Sequence, residues 1–250
     1  MNKYEDVIIA DEATFTSDLQ VQMQAFGLPV TVQQCHDFYR YYVALIETNK
    51  VMNLTGIVDM HEVIVKHLVD SLSCYNLKYL KDGISILDVG TGAGFPGIPL
   101  AIYNRTLQVT LFDSLMKRLK FLQAVIDELG LENARILHGR AEDIAHQVDY
   151  REAYDMVTTR AVARLAVLSE WTLPYIKQGG YLVALKGAAF EEEVNESLNA
   201  FKVLGGQLVE SSPVKLPGLD DKRAVLYIQK TKATPKKYPR KPKEIKDKAL

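Results

Sequence analysis

The chain has 250 residues, 48% of them hydrophobic, with Lys plus Arg 30, Asp plus Glu 31 and a net charge of −1. That supports one large domain with a sizeable core and an accessory piece, and excludes a low-complexity or collagen-like chain. There are only two cysteines, Cys35 and Cys74, which fall in no metal or redox spacing. With no apolar run near the roughly 20 residues a bilayer needs, and with Met1-Asn-Lys-Tyr-Glu-Asp6 unlike a signal segment, the reading is a soluble cytoplasmic protein with reduced thiols and no membrane contact.

Residues 1–81 read as a helical cap or substrate region. Thr31 is placed to cap a helix in which Cys35, Phe38, Tyr39, Tyr42, Leu45 and Ile46 recur at three-to-four-residue spacing. Asn53-Leu-Thr-Gly56 breaks the pattern, and Asp59 can cap a second helix with Ile64, Leu68, Leu72 and Tyr75 on one face. From residue 82 to 230, strands alternate with helices, the signature of a parallel α/β sheet. The expected strands are 84–88, 107–113, 134–138, 154–159, 180–186, 207–214 and 223–230, and the expected helices 97–104, 116–129, 163–174 and 190–204. No helix separates the last two strands, so they should form an antiparallel hairpin. Residues 231–250 complete the chain as a basic, flexible tail. From Lys230 onward, nine Lys/Arg face two acids, giving +7, so the body carries −8. Such a tail suits a polyanionic partner.

Asp88-Val-Gly-Thr-Gly-Ala-Gly94 carries the sharpest signal. It follows a buried-strand pattern and precedes Phe95-Pro-Gly97 at a helix start, the place where open α/β sheets hold nucleotide cofactors. A dinucleotide fingerprint would need glycine at 95, where this chain has Phe95. The Gly-x-Gly-x-Gly spacing resembles instead the S-adenosylmethionine (AdoMet) pocket of class I methyltransferases, a Rossmann-like seven-stranded fold ending in an antiparallel hairpin. Asp113, closing the second strand, can accept from both ribose hydroxyls or cap the helix that follows. After the third strand, Ala141 and Glu142 can hold an adenine amino group by backbone and carboxylate. Arg160, closing the fourth, can hold a carboxylate, a phosphate or a base face.

Three chemistries can be separated. Methylating carbon-5 of a pyrimidine needs a loop cysteine, but both cysteines lie in the helical region. Exocyclic-amine methylation calls for Asn/Asp-Pro-Pro-aromatic after the fourth strand, where Thr158-Thr-Arg160 stands. A ring nitrogen with an in-plane lone pair needs no base, so no catalytic side chain is assigned. Lys117 and Arg118, at a helix N-terminus that disfavours cations, and Lys186, ending the fifth strand, are candidate phosphate contacts. Tyr39, Tyr41 and Tyr42 could stack bases or pack in the core. Neither His61 nor His67 suggests a metal, and His67 and Trp171 read as structural.

Asn53-Leu-Thr, His67-x-x-Asp70-Ser71, Asp88 through Gly97, Asp113-Ser-Leu-x-Lys-Arg118, Arg140-Ala-Glu142, Arg160-Ala and Ala184-Leu-Lys-Gly187, in that order, resemble the bacterial small-subunit rRNA guanine-N7 methyltransferases (RsmG or GidB) of Gram-positive type. The resemblance runs from about residue 17 to the tail. It implies AdoMet-dependent methylation of N7 of a guanosine in the decoding region of 16S rRNA; nothing in the sequence demands more than a monomer. It implies cofactor contacts along the Gly90–Gly92 loop, at Phe95, at Asp113, Ser114 and Leu115, at Ala141 and Glu142, and at Arg160. RNA contacts at Lys117, Arg118, Lys186 and the tail are a further expectation.

Overall fold

The computed structural model describes residues 7–250, the Lys246 side chain excepted. Residues 1–6 of the expected helical region, and with them the segment read as unlike a signal, lie outside the described residues. Two amphipathic helices open the fold, α1 (Glu12–Ala25) and α2 (Val32–Asn49). Thr31 starts α2 with a reciprocal capping box: its hydroxyl accepts from Gln34 N–H at 3.2 Å while the Gln34 side chain accepts from Thr31 N–H at 2.8 Å. The apolar stripe of α2 is buried, with Tyr41 and Tyr42 at 1% and 0% exposure and Tyr39 half-buried. These rings pack in the core rather than offering a base-stacking surface.

Helix α3 starts at Met60 on the expected Asp59 cap. It widens into a π-helical turn over Ile64–Val69 and closes over Asp70–Leu72. Side-chain spacing did not signal that widening.

The sheet comprises β1 (Ser85–Val89), β2 (Gln108–Asp113), β3 (Ala134–His138), β4 (Tyr154–Arg160), β5 (Ile176–Lys186), β6 (Gly206–Pro213) and β7 (Ala224–Lys230). Their order is β3-β2-β1-β4-β5-β7-β6, with β7 antiparallel to both neighbours. The remaining helices are α4 (Gly97–Tyr103), α5 (Met116–Leu129), α6 (Ala141–Ile144), α7 (Leu165–Thr172), α8 (Phe190–Leu204) and α9 (Pro242–Asp247). Helices α1 to α5 share one apolar cluster on one face of the sheet, and α6 to α8 share a second on the other. Strand order reverses between β1 and β4, which opens a crevice beyond their C-terminal ends.

β5 is longer than expected because it continues N-terminally through Gly179 and Gly180. There a register shift opposite β4 leaves no room for a side chain: a Cβ on Gly180 would lie 2.4 Å from the Asp155 carbonyl oxygen.

The segment after Thr231 corrects an expectation: it is docked. Lys230 is fully buried, its amine donating to Leu173 O at 2.6 Å and to the Thr234 hydroxyl, with Glu152 at 3.4 Å. Arg151 donates to the carbonyls of Thr234, Pro235 and Tyr238. Tyr238 and Ile245 are buried. Partners some 80 residues upstream supply the order that a Lys- and Pro-rich stretch lacks by itself.

Candidate active site

The glycine loop is built around a buried carboxylate. Asp88, fully buried, accepts through Oδ2 from the Thr91 hydroxyl at 2.6 Å and Gly97 N–H at 3.0 Å, and through Oδ1 from the Thr158 hydroxyl at 3.2 Å. Burial pushes its carboxyl up to about 6. Gly97 cannot be enlarged, because a Cβ would sit 2.3 Å from Leu111 and 2.8 Å from the Asp88 carboxylate. Gly92 has φ 61°, a left-handed conformation that favours glycine, and a Cβ there would meet only the Gly90 carbonyl oxygen, at 3.9 Å.

Two adjoining cavities occupy the crevice. The smaller, about 350 Å³, is lined by Gly90, Asp113, Ser114, Gly139, Ala141, Glu142, Val162 and Trp171, among others. The larger, about 770 Å³, runs from Thr55, His67 and Asp70 past Gly90, Gly92 and Phe95 to Lys186 and Arg223. They share Gly90, Arg118, Ala161 and Val162. Ala161 holds φ 56°, a left-handed conformation uncommon for alanine, where β4 turns away between them.

Asp113 ties the glycine loop to α5. Its Oδ2 accepts from Gly92 N–H at 3.1 Å and from Arg118 at 3.3 Å, and its Oδ1 accepts from Leu115 N–H at 2.8 Å. The helix cap itself is Leu115, whose side chain makes no capping bond. Leu115 thus supplies backbone to the turn and does not line either cavity. Glu142 is nearly buried opposite, and the Ala141 carbonyl accepts from Tyr175 at 2.6 Å. Two sheltered carboxylates, Asp113 at the end of β2 and Glu142 on α6, with an indole wall form an acceptor set that suits the hydroxyls and amino group of a nucleoside. Trp171, read from sequence as packing, is part of that wall, and its Nε1 is buried without a partner among the described residues.

Phe95 is a hub of the larger cavity. His67 stacks on it with centroids 4.5 Å apart, Tyr41 tilts against it at 5.6 Å, and the Arg160 guanidinium lies 4.8 Å from its centre. Arg160 also donates to Asp70 and to Lys66 O at 2.9 Å, and reaches His67 Nδ1 at 3.2 Å. His67 Nδ1 also lies 3.2 Å from the Lys66 carbonyl, and its Nε2 lies 2.8 Å from the Thr55 hydroxyl. Burial, then the Arg160 charge, lowers this imidazole to about 3, so it stays neutral. Asp70 is held between Arg160 and Arg223, whose Nη1 donates to it at 2.6 Å; Arg223 also pairs with Asp221, so the two guanidiniums of this wall are matched by two carboxylates.

The expected phosphate contacts separate. Arg118 lines both cavities, whereas Lys117 is exposed on α5 and lines neither. Lys186 lines the larger cavity, but its ammonium is already engaged by Glu193 at 2.7 Å and Ala163 O at 2.6 Å. It is a paired cation that braces α8, not a free one. Sequence reading missed Lys66, Asp70, Val162, Trp171 and Arg223 as cavity walls. The His67-x-x-Asp70 pattern was the only signal pointing to any of them, and Arg223 reaches Asp70 across 153 residues of chain.

A family profile described as rRNA small subunit methyltransferase G (GidB) matches residues 34–218. The chain belongs to this family. Proteins of that name from Alkaliphilus metalliredigens, Lactobacillus acidophilus and Lactococcus lactis are 48%, 46% and 46% identical over 219, 222 and 217 residues. The alignments cover 88%, 88% and 86% of this chain and 92%, 92% and 91% of the relatives. Among solved structures, an Aquifex aeolicus SAM-dependent methyltransferase matches with TM-score 0.51 at 19% identity, over 65% of this chain and 90% of its own. A 16S rRNA (adenine(1408)-N(1))-methyltransferase variant from Catenulisporales acidiphilia also scores 0.51, at 16% identity, over 62% and 88%. These two support the class I fold. Like its family, the chain is an AdoMet-dependent rRNA methyltransferase, so the cavities are candidates for cofactor and substrate.

Proposed function

We propose that this enzyme transfers the methyl group of AdoMet to N7 of a guanosine in the decoding region of 16S rRNA. The observation that carries the reading is the pair of cavities meeting at Gly90 and Val162, one lined by nucleoside-type acceptors and the other by guanidiniums. AdoMet, when bound, supplies an electrophilic methyl group. Asp113 would accept from its ribose hydroxyls, Glu142 and the Ala141 backbone would hold its adenine edge, and the Gly90–Gly92 backbone would let it lie close. Arg160 and Phe95, which line the larger cavity, would stand beside the base.

Methyl transfer is an in-line displacement, so orientation supplies much of the rate. N7 of guanine offers its lone pair without losing a proton. His67 is kept neutral, and Asp88, with its raised carboxyl, is occupied by three donors and lines neither cavity. N7 carries no proton to remove, so this reading assigns no side chain as a base.

The RNA backbone lies against Arg118, Lys117 and the solvent side of the docked tail, where Lys236, Lys237, Lys241 and Lys243 are exposed. The enzyme works as a cytoplasmic monomer; no helix among the described residues is long and apolar enough to cross a membrane. The test is to delete the gene and map N7-methylguanosine in 16S rRNA by borohydride–aniline cleavage. Loss of one decoding-region site, restored by the wild-type gene and not by the Asp113→Ala variant, is expected. An unchanged cleavage pattern refutes the reading.

A further inference from the structure

The docked C-terminal segment touches the two elements that wall the smaller cavity, and it does so with oriented polar bonds. Glu170, fully buried on α7, precedes Trp171. Arg240 grips it in a fork: its backbone N–H and Nε donate to Oε1 at 2.7 and 2.9 Å, and Nη2 donates to Oε2 at 2.7 Å. On the α6 side, His146 Nε2 donates to the Pro239 carbonyl at 2.9 Å. Arg151 bridges Ala145 O at 3.1 Å to Tyr238 O at 3.0 Å. The Tyr238 ring is buried in the cluster that holds Ala145, Leu165, Leu168 and Tyr175, and Tyr175 in turn donates to Ala141 O. α6 carries Ala141 and Glu142; α7 carries Trp171.

If the segment only covered apolar surface, apolar side chains would do it at less cost, because a buried ion pair gains little net stability over hydrophobic packing. What a two-pronged guanidinium–carboxylate pair adds is a fixed direction. Here that direction sets the rotation of α7, and with it where the indole stands relative to Glu142.

We propose that residues 234–240 are a clamp that positions the adenosine half of the cofactor pocket, with Arg240 as its positioning residue acting through Glu170. The clamp rests on the assignment of the smaller cavity to adenosine, and its test separates the two. Trp171 is the only tryptophan of the chain, so its emission reports on this wall. S-adenosylhomocysteine and 5′-methylthioadenosine are titrated into the full-length protein, following Trp171 emission and heat. Methylthioadenosine lacks the amino-acid part and so probes the adenosine half alone.

Arg240→Gln is expected to weaken both ligands by the same factor, about fivefold or more. It should raise the KM for AdoMet with kcat and the KM for RNA near wild type, and Arg240→Lys should recover part of the loss. Should Arg240→Gln fail to fold, the Glu170→Gln/Arg240→Gln pair, which leaves no buried charge, gives the same readings. Wild-type affinity in a folded variant overturns the clamp, as does a loss confined to S-adenosylhomocysteine. Asp113→Ala is run in parallel. If it binds both ligands normally, the adenosine assignment is at fault and the clamp falls with it; if it weakens both while Arg240→Gln does not, only the clamp is lost.

Discussion

At the scale of single residues, two groups decide how the pocket behaves. Asp113 spends its carboxylate on Gly92, Leu115 and Arg118. A hydrogen bond to a charged acceptor contributes roughly 1.5–3 kcal/mol. Asp113→Ala should therefore raise the dissociation constant for S-adenosylhomocysteine by about 10- to 100-fold, read by calorimetry; an unchanged constant would remove the ribose role. His67 governs acid sensitivity. Its folded value of about 3 lies below the ordinary 6.5, so the unfolded chain protonates first as pH falls. Its contribution to stability is thus complete above about pH 6.5 and is lost progressively toward pH 3. Between pH 7 and 5 that loss is about 2 kcal/mol. Urea unfolding of His67→Phe at both pH values should show a loss smaller by that amount, and equal losses would contradict it. Asp88, raised to about 6, gains in the same window, which is why the comparison must be variant against wild type.

Elements were legible where one face repeats and a cap is local. α5 and α8 end where Gly130 and Gly205 take left-handed conformations, and both were placed at their observed bounds. Thr31→Ala removes one arm of a capping box and should cost about 1 kcal/mol in thermal or urea unfolding, with cofactor affinity unchanged. Gly97→Ala should cost more, about 1–3 kcal/mol, because the new methyl group has Leu111 and Asp88 in its way. The π-helical turn at Ile64–Val69 was illegible because it changes hydrogen-bond spacing without changing which side chains are apolar. The tail was misread for a different reason. Its order comes from Arg151, Glu152 and Glu170, and composition taken within the segment cannot register partners that far upstream. The site divides the same way. Asp113 and Arg160 close strands, Glu142 follows one in the next helix, and all three announce themselves locally, whereas Asp70, Trp171 and Arg223 become walls only through tertiary packing.

At the scale of the whole molecule, a body of −8 carries a segment of +7 docked against it, and Lys236, Lys237, Lys241 and Lys243 are exposed on that docked segment. Replacing Lys236, Lys237, Lys241 and Lys243 by Gln should lower the slope of log affinity for rRNA against log salt by roughly 1–3, the upper value if all four meet phosphates. Filter binding across a salt series measures it, and an unchanged slope would place the RNA elsewhere. The strand order has a consequence of its own. β6 is made before β7, yet its one neighbour in the sheet is β7, which slots between it and β5. A nascent chain stopped between Pro213 and Ala224 carries β6 without a partner and β5 with a bare apolar flank, while β1 to β4 can already assemble. Ribosomes stalled late in this message would thus hold a polypeptide with unpaired strand edges, the kind of surface that chaperones shield and that sticks to its own copies.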